Sequence, residues 1–462
     1  MKLQKVVIIG GVAGGATTAA QLRRINPDIE ITIYDKHRDV SFANCGLPYL
    51  ISGEVKSRDH LIAYTKEKFV QKHIDVRTYH EVIDVDTTNN KVVVKNLTTN
   101  TVMEDVYDYL VVSPGAHPNQ LAVFEGAKNV HSLHKLEDLD DIMHNLILDE
   151  VVHVLVVGTG FVSLEVLESL VLRGLKVSLV HRSTHIYSVI EKDYADELLI
   201  HLKERGVDVY LDAEVEKADG DVVTLSNGNT LNVDMIFTGV GISPSTGFLS
   251  DTNIELSERG HIPINEWCQT NVQNVFALGD AVESRYLHVD ERVNVALAWP
   301  AHRMAYLIAQ IIDGGGMVKS GDGRLAIADG RDATPVKGLL GAQIIRMFDF
   351  HIGSVGVSHK LINNLDMDVE VIEHSQRNMA GYMPESRKIH VKVYYEKSTG
   401  KILRAVSMGE DKVDKLIDTL AAVMKFGGTV YDLNDLEPAY APSFSSPKSV
   451  VNMIGYKALG KR

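Results

Sequence analysis

Two cysteines in 462 residues, Cys45 and Cys268, are too few for a disulfide framework. The fold must rest on burial and backbone hydrogen bonding. Basic residues are also in deficit, with 47 Lys and Arg against 61 Asp and Glu, a formal net charge of −14. That balance argues against a nucleic-acid partner, which needs a basic face, and leaves room only for a local basic pocket around a phosphorylated ligand. No apolar run approaches the roughly 20 residues of a membrane span. The opening Met1, Lys2 leads directly into Val6-Val7-Ile8-Ile9 with no signal-peptide pattern. A cytoplasmic location is therefore expected, with no membrane partner and no metal site. What is present is an ordinary globular composition, 45% hydrophobic and 23% charged. The chain is too long for one core, and two to four domains are expected.

One motif occurs twice, roughly a domain apart. Strand Val6–Ile9 runs into the turn Gly10-Gly11-Val12-Ala13-Gly14-Gly15 and a helix through Arg24. Strand Val154–Val157 runs into Gly158-Thr159-Gly160 and a helix over Ser163–Arg173. Each is followed by another strand, Glu30–Tyr34 and Lys176–Val180, so each reads as a βαβ unit. A glycine turn between strand and helix brings the backbone close to a pyrophosphate, whose charge sits on the helix N-terminus. Both copies depart from the full G-x-G-x-x-G pattern. Val12 stands at the second glycine of the first, and Ser163 at the third of the second. The strand–turn–helix context carries the assignment.

The residue ending the second strand of such a unit reads the adenosine ribose. In the first unit it is Asp35, next to Lys36, a carboxylate suited to a free 2′-hydroxyl as in FAD or NAD. In the second it is His181 followed by Arg182, with no acid. A carboxylate there would repel a 2′-phosphate, whereas a guanidinium pairs with it, so the second site is expected to take NADPH. Gly158, Gly160, Phe161, Val162 and Gly241 are expected to line it.

The remaining strands extend the pattern. Lys91–Lys95 and Tyr107–Val112 are expected to finish the first nucleotide domain. Met235–Gly239 and Val275–Leu278 enter glycine turns. Residues 313–335, rich in Gly and Asp, read as an exposed linker or loop. From Val336 onward, the runs Lys388–Tyr395 and Ile402–Ser407 and a helix near Asp411–Phe426 suggest a separate α+β domain.

The segment from Thr270 to Asp280 (TNVQNVFALGD) resembles the second FAD signature of two-dinucleotide flavoproteins. In those proteins the closing aspartate, here Asp280 after Gly279, hydrogen-bonds the ribityl chain. Ser113-Pro114-Gly115-Ala116 resembles the connecting motif of the same superfamily. These matches make FAD the expected ligand of Gly10, Val12, Ala13, Gly14, Asp35, Lys36, Gly115, Gly279 and Asp280.

Cys45 lies in Ser41-Phe42-Ala43-Asn44-Cys45-Gly46-Leu47-Pro48-Tyr49, shortly after Asp35. Disulfide reductases of the glutathione reductase kind place two cysteines in one CxxxxC turn, but position 50 here is Leu50. A lone thiol beside a flavin has two available roles, a mixed disulfide with an external thiol or a cycle through sulfenic acid. Burial as a small hydrophobe is the usual fate of a free cysteine. That fits Cys268, and it fits poorly with the polar setting of Cys45. A free thiol of pKa about 8.5 is only a few per cent thiolate at neutral pH, so the site is expected to stabilise the anion, through oxidised flavin and nearby helix N-termini.

End to end, the sequence resembles the coenzyme A-disulfide reductases, the single-cysteine branch of the pyridine nucleotide-disulfide oxidoreductases. The resemblance rests on Gly-Gly-Val-Ala-Gly-Gly-Ala-Thr at the start, Ser-Phe-Ala-Asn-Cys, Val162-Ser163-Leu164-Glu165 and Trp299-Pro300-Ala301-His302-Arg303. It continues in Tyr440-Ala441-Pro442-Ser443-Phe444-Ser445 and Asn452-Met453-Ile454-Gly455-Tyr456-Lys457. It implies an α/β fold of two Rossmann-like dinucleotide-binding domains, for FAD and NADPH, plus a C-terminal α+β dimerisation domain. The expected boundaries are 1–115 with 246–312 for FAD, 116–245 for NADPH, 313–335 for the Gly-rich loop and 336–462 for dimerisation.

The resemblance further implies that Cys45 forms a mixed disulfide with coenzyme A. Thr17, Gln21, Arg24, Ser41, Asn44, Lys72, His302 and Lys448 would touch that substrate, and Glu165 would lie near the nicotinamide. The reductases of the glutathione kind protonate their leaving thiolate with a C-terminal histidine, yet no histidine follows His390 here. Tyr382 and Tyr440 stand where the family places its acid groups, and a phenol of ordinary pKa (about 10) stays protonated at neutral pH. The family is homodimeric, with the C-terminal domain of one subunit completing the site of the other. Alternatives are an NAD(P)H oxidase of the same fold, a CoA-dependent persulfide reductase, and a non-enzymatic flavin-binding interaction protein. The persulfide reading lacks an added C-terminal sulfur-transfer domain with a second reactive cysteine.

Overall fold

The computed structural model describes residues 4–148, 150–321 and 323–461, so the reading of Met1 and Lys2 lies outside the described residues. Two five-stranded parallel sheets dominate the first two thirds of the chain. The first has the strand order Val275–Ala277, Tyr109–Val112, Lys5–Ile9, Glu30–Asp35, Asp75–Thr78. The second runs Asp208–Leu211, Lys176–His181, His153–Val157, Met235–Thr238, Val130–His131. Their central strands are unbroken runs of Val, Ile and Leu, as expected where helices cover both faces. Val6, Val7, Ile8, Leu110 and Val111 are fully buried in one, and Val154, Leu155 and Val156 in the other.

The two units repeat each other bond for bond. The Gly10 amide donates to the Tyr34 carbonyl at 2.8 Å, and the Gly158 amide to the Val180 carbonyl at 2.9 Å. Ser113 donates to Ile9 at 2.8 Å, and Gly239 to Val157 at 2.9 Å. Both turn glycines have positive φ, +93° and +101°, and a Cβ on them would lie 2.0 Å from the Ser113 oxygen and 2.4 Å from the Gly239 oxygen. Only glycine lets the crossover helix begin this close to the neighbouring strand end.

The C-terminal third forms an antiparallel sheet ordered Gln343–Met347, Phe350–Gly356, Ile402–Gly409, Lys388–Glu396, Val369–Arg377. Helix Val413–Lys425 places Val413, Ile417, Leu420 and Met424 against this sheet, and helix Val450–Lys461 adds Ile454 and Ala458 to the same core. Helix Ala298–Asp313 returns to the first unit and packs along helix Ala13–Ile25. Asn26 Nδ2 donates to Asp313 there at 3.0 Å.

One expectation gains detail and one needs correction. Lys91–Asn96 is a strand as expected, the middle one of a separate antiparallel sheet with His80–Asp86 and Val102–Val106. Its alternating burial, one face in and one out, is the period of such a ribbon. The segment 313–335 is not simply an exposed loop. Met317–Lys319 and Leu325–Ile327 form a hairpin that buries Met317 and Ile327. Arg331 pins its base to Asp313 and Asp329. Asp322, inside this segment, lies outside the described residues.

The glycine geometry is testable. Gly126→Ala, at φ +80° with nothing nearby, should cost only the backbone penalty of about 1–2 kcal/mol. Gly10→Ala adds overlap with a main-chain oxygen, so its melting temperature should fall at least twice as far. Equal melting curves for the two variants would contradict the close-approach argument.

Candidate active site

At the first turn the Gly11 amide donates to Asp35 Oδ2 at 2.7 Å and the His37 amide to Oδ1 at 2.8 Å. Burial raises the Asp35 carboxyl to about 6 despite these two bonds. Helix Ala13–Ile25 has no acid in its first turn, so nothing there repels a pyrophosphate. The two half-buried turn residues Val12 and Ala13 precede buried Gly14. Gly115 (φ +69°) and Gly279 (φ +81°) lie at the ends of the two adjacent strands, and Asp280 follows, its carboxyl pushed up by burial. Lys36 is exposed and faces Glu81 at 3.8 Å. A glycine cradle, an acid-free helix start and a buried ribose-reading carboxylate together fit FAD.

At the second turn Gly160 is open, its nearest prospective Cβ contact 3.9 Å away. It caps helix Phe161–Leu172, whose first turn also lacks an acid. Phe161 is exposed and Val162 half-buried at this helix start. His181 Nε2 is buried with no partner among the described residues, and burial together with Arg182 and His185 holds this imidazole below its usual range. Arg182 is exposed, with no acid paired to it among the described residues. Gly241 has φ +104° beside Asn119. These residues suit a nicotinamide dinucleotide.

Cys45 sits in a single 3-10 turn, Asn44–Gly46, that leads into helix Leu47–Ser52. Ser41, at φ +51°, fastens this segment to the first glycine turn, its amide donating to the Gly11 carbonyl at 2.7 Å. The Cys45 residue is exposed. Its thiol is nevertheless pushed up, first by burial of the surrounding wall and then by the negative charges of Glu165 and Asp280. Glu165 is itself raised to about 7 by burial and by Glu168, with Arg346 opposing. Burial and these two carboxylates therefore oppose ionisation of the sulfur. Cys268 is completely buried and its thiol is pushed up to about 12. It has no access to Cys45.

The other expected residues fall into two sets. Thr17 Oγ1 and His302 Nδ1 are 2.8 Å apart across the paired helices. Gln21, buried, and Arg24, exposed, continue the Thr17 face at helical spacing. Lys72 lies 5.3 Å from the Tyr64 ring centroid. Asn44 Nδ2 reaches the His134 carbonyl at 3.4 Å. The second set is C-terminal. The Ala380 amide donates to the Pro442 carbonyl at 3.1 Å, which ties the Tyr382 loop to the Tyr440 segment. Tyr382 is 75% and Tyr440 50% exposed, and neither hydroxyl is bonded to another described residue. Lys448 is exposed over the Tyr456 ring at 5.6 Å. No hydrogen bond joins the two sets within the described chain.

Sequence reasoning missed Arg346 and Lys68. Arg346 bonds Glu54 at 2.7 Å, lies 3.3 Å from Glu168 and sits 5.4 Å from the Tyr49 ring, behind the Cys45 helix. Nearly 300 positions separate it from Glu54, so no local pattern could reveal it. Lys68 shares the Tyr64 ring with Lys72, at 5.8 Å. Its spacing of four from Lys72 on one helical stretch was a usable signal.

Two glycine-turn sheets, a lone exposed thiol beside the first turn and an antiparallel C-terminal domain define a two-dinucleotide oxidoreductase. Comparison with known proteins is specific. Residues 4–305 match the model of the pyridine nucleotide-disulphide oxidoreductases, and 343–450 match that family's dimerisation domain. The chain belongs to this family, whose members use FAD and a nicotinamide nucleotide. It is 42% identical over 457 residues to a coenzyme A disulfide reductase of Staphylococcus aureus, covering 99% of this chain and 100% of that protein. Among solved structures, the reduced CoADR-RHD of Bacillus anthracis superposes with TM-score 0.93 at 33% identity, covering 100% of this chain and 81% of that one. A NAD-dependent persulfide reductase from A. fulgidus gives TM-score 0.91 at 26% identity, covering 99% and 84%. No helix among the described residues is long and apolar enough to cross a membrane.

The electrostatics predict a pH effect. As pH rises through about 7, Glu165 loses its proton, and its new negative charge makes ionisation of Cys45 harder. Glu165→Gln removes that charge, so the pH profile of iodoacetamide alkylation at Cys45 should move to lower pH. An unmoved or opposite profile would show that Glu165 does not act on the sulfur.

Proposed function

We propose that this protein reduces coenzyme A disulfide to two CoA thiols with NADPH, through a mixed disulfide on Cys45. The observation that carries this reading is the exposed, unpaired Cys45 beside the first nucleotide turn, with Cys268 sealed in the core. The full-length similarity to a coenzyme A disulfide reductase supports the choice of substrate. In this reading residues 1–115 with 246–312 hold FAD, 116–245 hold NADPH, and 336–462 pair two subunits.

Bound FAD supplies the two-electron relay between nicotinamide and sulfur. The Cys45 thiolate attacks one sulfur of the disulfide. That S–S bond breaks, one CoA thiolate leaves, and Cys45 carries the other CoA. Two electrons, delivered as hydride by NADPH, cleave the mixed disulfide and restore the Cys45 thiolate. The hydride's proton equivalent and one proton from solvent balance the two CoA thiols formed. Tyr382 and Tyr440, exposed and unbonded within their own chain, are assigned to the partner subunit's site, where their hydroxyls hand a proton to the departing thiolate.

Arg24, Lys72 and Lys448 hold the CoA phosphates, while Thr17, Gln21, Ser41, Asn44 and His302 line the pantetheine arm. Arg182, with His181 beside it, pairs with the 2′-phosphate of NADPH. Glu165 faces the nicotinamide. Phe161 and Val162 start the helix beneath the nucleotide, and a cytoplasmic location suits these ligands.

Intact mass of the non-reduced protein should drop by one CoA per chain on dithiothreitol treatment, and Cys45→Ser should show no such loss. A wild-type mass unchanged by dithiothreitol, with NADPH consumed in step with oxygen uptake, would instead indicate an oxidase. Arg182→Ala should raise KM for NADPH about tenfold, the loss of one charge-assisted phosphate contact, with KM for NADH little changed. Tyr440→Phe and Tyr382→Phe should lower kcat for CoA disulfide without altering FAD content.

A further inference from the structure

Arg404 is the largest fully buried side chain of the described protein, 1% exposed, on central strand Ile402–Gly409 of the C-terminal sheet. Its guanidinium leaves its own domain. Nε bonds Glu191 Oε1 at 3.0 Å and Nη2 donates to the Val189 carbonyl at 2.6 Å, both in the second nucleotide unit. Nη1 donates at 3.1 Å to Val357 in the C-terminal domain. Glu191 is the residue preceding helix Lys192–Glu204, and His359 Nδ1 lies 3.2 Å from the same Glu191 oxygen. Just inside that helix, Lys392 pairs with Asp193 and covers the Tyr194 ring at 4.7 Å.

The segment so gripped is the one that reads the nucleotide. It begins at His181 and Arg182 and ends at Glu191. Inside it the Ile190 amide donates to the Tyr187 carbonyl at 3.1 Å. The Tyr187 amide donates to Thr159 Oγ1, also at 3.1 Å, and Thr159 is the middle residue of the Gly158–Gly160 turn. A line of hydrogen bonds, joined through the 187–190 backbone, therefore runs from Arg404 to the Gly158–Gly160 turn.

We infer that Arg404 is a positioning residue for nicotinamide-nucleotide binding, fixing the 181–191 loop and the Gly158–Gly160 turn from the dimerisation domain. This rests on the proposal that residues 158–191 hold the nicotinamide nucleotide. A buried ion pair is a poor source of net stability, and well-packed apolar residues often replace one without loss. Its geometric effect is another matter. The guanidinium holds the Val189 carbonyl in place, and no apolar side chain does that.

The test separates these two roles. Arg404→Met alone leaves Glu191 buried without its cation and should lower the melting temperature. Arg404→Met/Glu191→Met removes both charges and should melt near the wild type with full FAD content. If Arg404 positions the loop, the double variant still binds NADP+ and NAD+ at least about fivefold more weakly by calorimetry, and KM rises with kcat within twofold. Wild-type affinity for both nucleotides in a folded double variant would overturn the inference. Should neither variant fold, hydrogen exchange on the wild-type holoenzyme decides. NADP+ should slow exchange across 357–362 in the C-terminal domain, and unchanged exchange there overturns the coupling. Arg182→Ala distinguishes the underlying reading, because it should weaken NADP+ alone whereas the Arg404 effect falls on both nucleotides.

Discussion

The sulfur of Cys45 has no second sulfur within its own chain to turn to. Cys268 is sealed in the core, its backbone in the left-handed region and its thiol driven far from ionisation by burial. In a protein built to reduce disulfides, that isolation dictates the cycle. A thiolate with no neighbouring partner cannot close an internal disulfide, so its oxidised form is either a mixed disulfide with an external thiol or a sulfenic acid. In the proposed cycle it is the former, and the surroundings then have to hold a large leaving group. The proposal assigns that task to the Thr17–His302 pair, buried Gln21 and Lys72, which with Lys68 flanks the Tyr64 ring.

The nucleotide units were legible because everything that makes them is local. Strand, glycine turn, helix and return strand fall within about 30 residues. The turn glycines are demanded by steric approaches that no other residue survives. Gly10 and Gly158 abut equivalent carbonyls in the two copies, so the repeat visible in sequence is a repeat of one backbone solution. The antiparallel runs Lys388–Glu396 and Ile402–Gly409 were legible for a related reason, a pairing across a short connection with one register shift at Tyr394/Tyr395.

The rest depended on distance along the chain. Lys91–Asn96 has the same composition as a parallel strand, and only its pairing with His80–Asp86 and Val102–Val106 moves it to another sheet. The Gly-rich stretch hid a hairpin because its two apolar anchors, Met317 and Ile327, are single residues in a polar setting. Arg346 and Arg404 were invisible for the strongest reason. Each is an ordinary strand arginine locally, and each owes its role to acids more than 150 positions away.

Charge around the site shows why net charge says little about the ligand. The chain carries −14 overall, yet it is proposed to take a polyanionic substrate. At physiological ionic strength charges beyond roughly 8 Å are largely screened, so the ligand responds to the few groups it touches. Both signs are present among the groups considered. Arg24, Lys68 and Lys72 are exposed cations, as is Lys448 in the C-terminal domain, whereas the charges of Glu165 and Asp280 act on the Cys45 sulfur. Burial and these carboxylates oppose ionisation of the sulfur, so in the proposed reading the attraction of a polyanion falls to individual exposed cations, whatever the total charge of the chain.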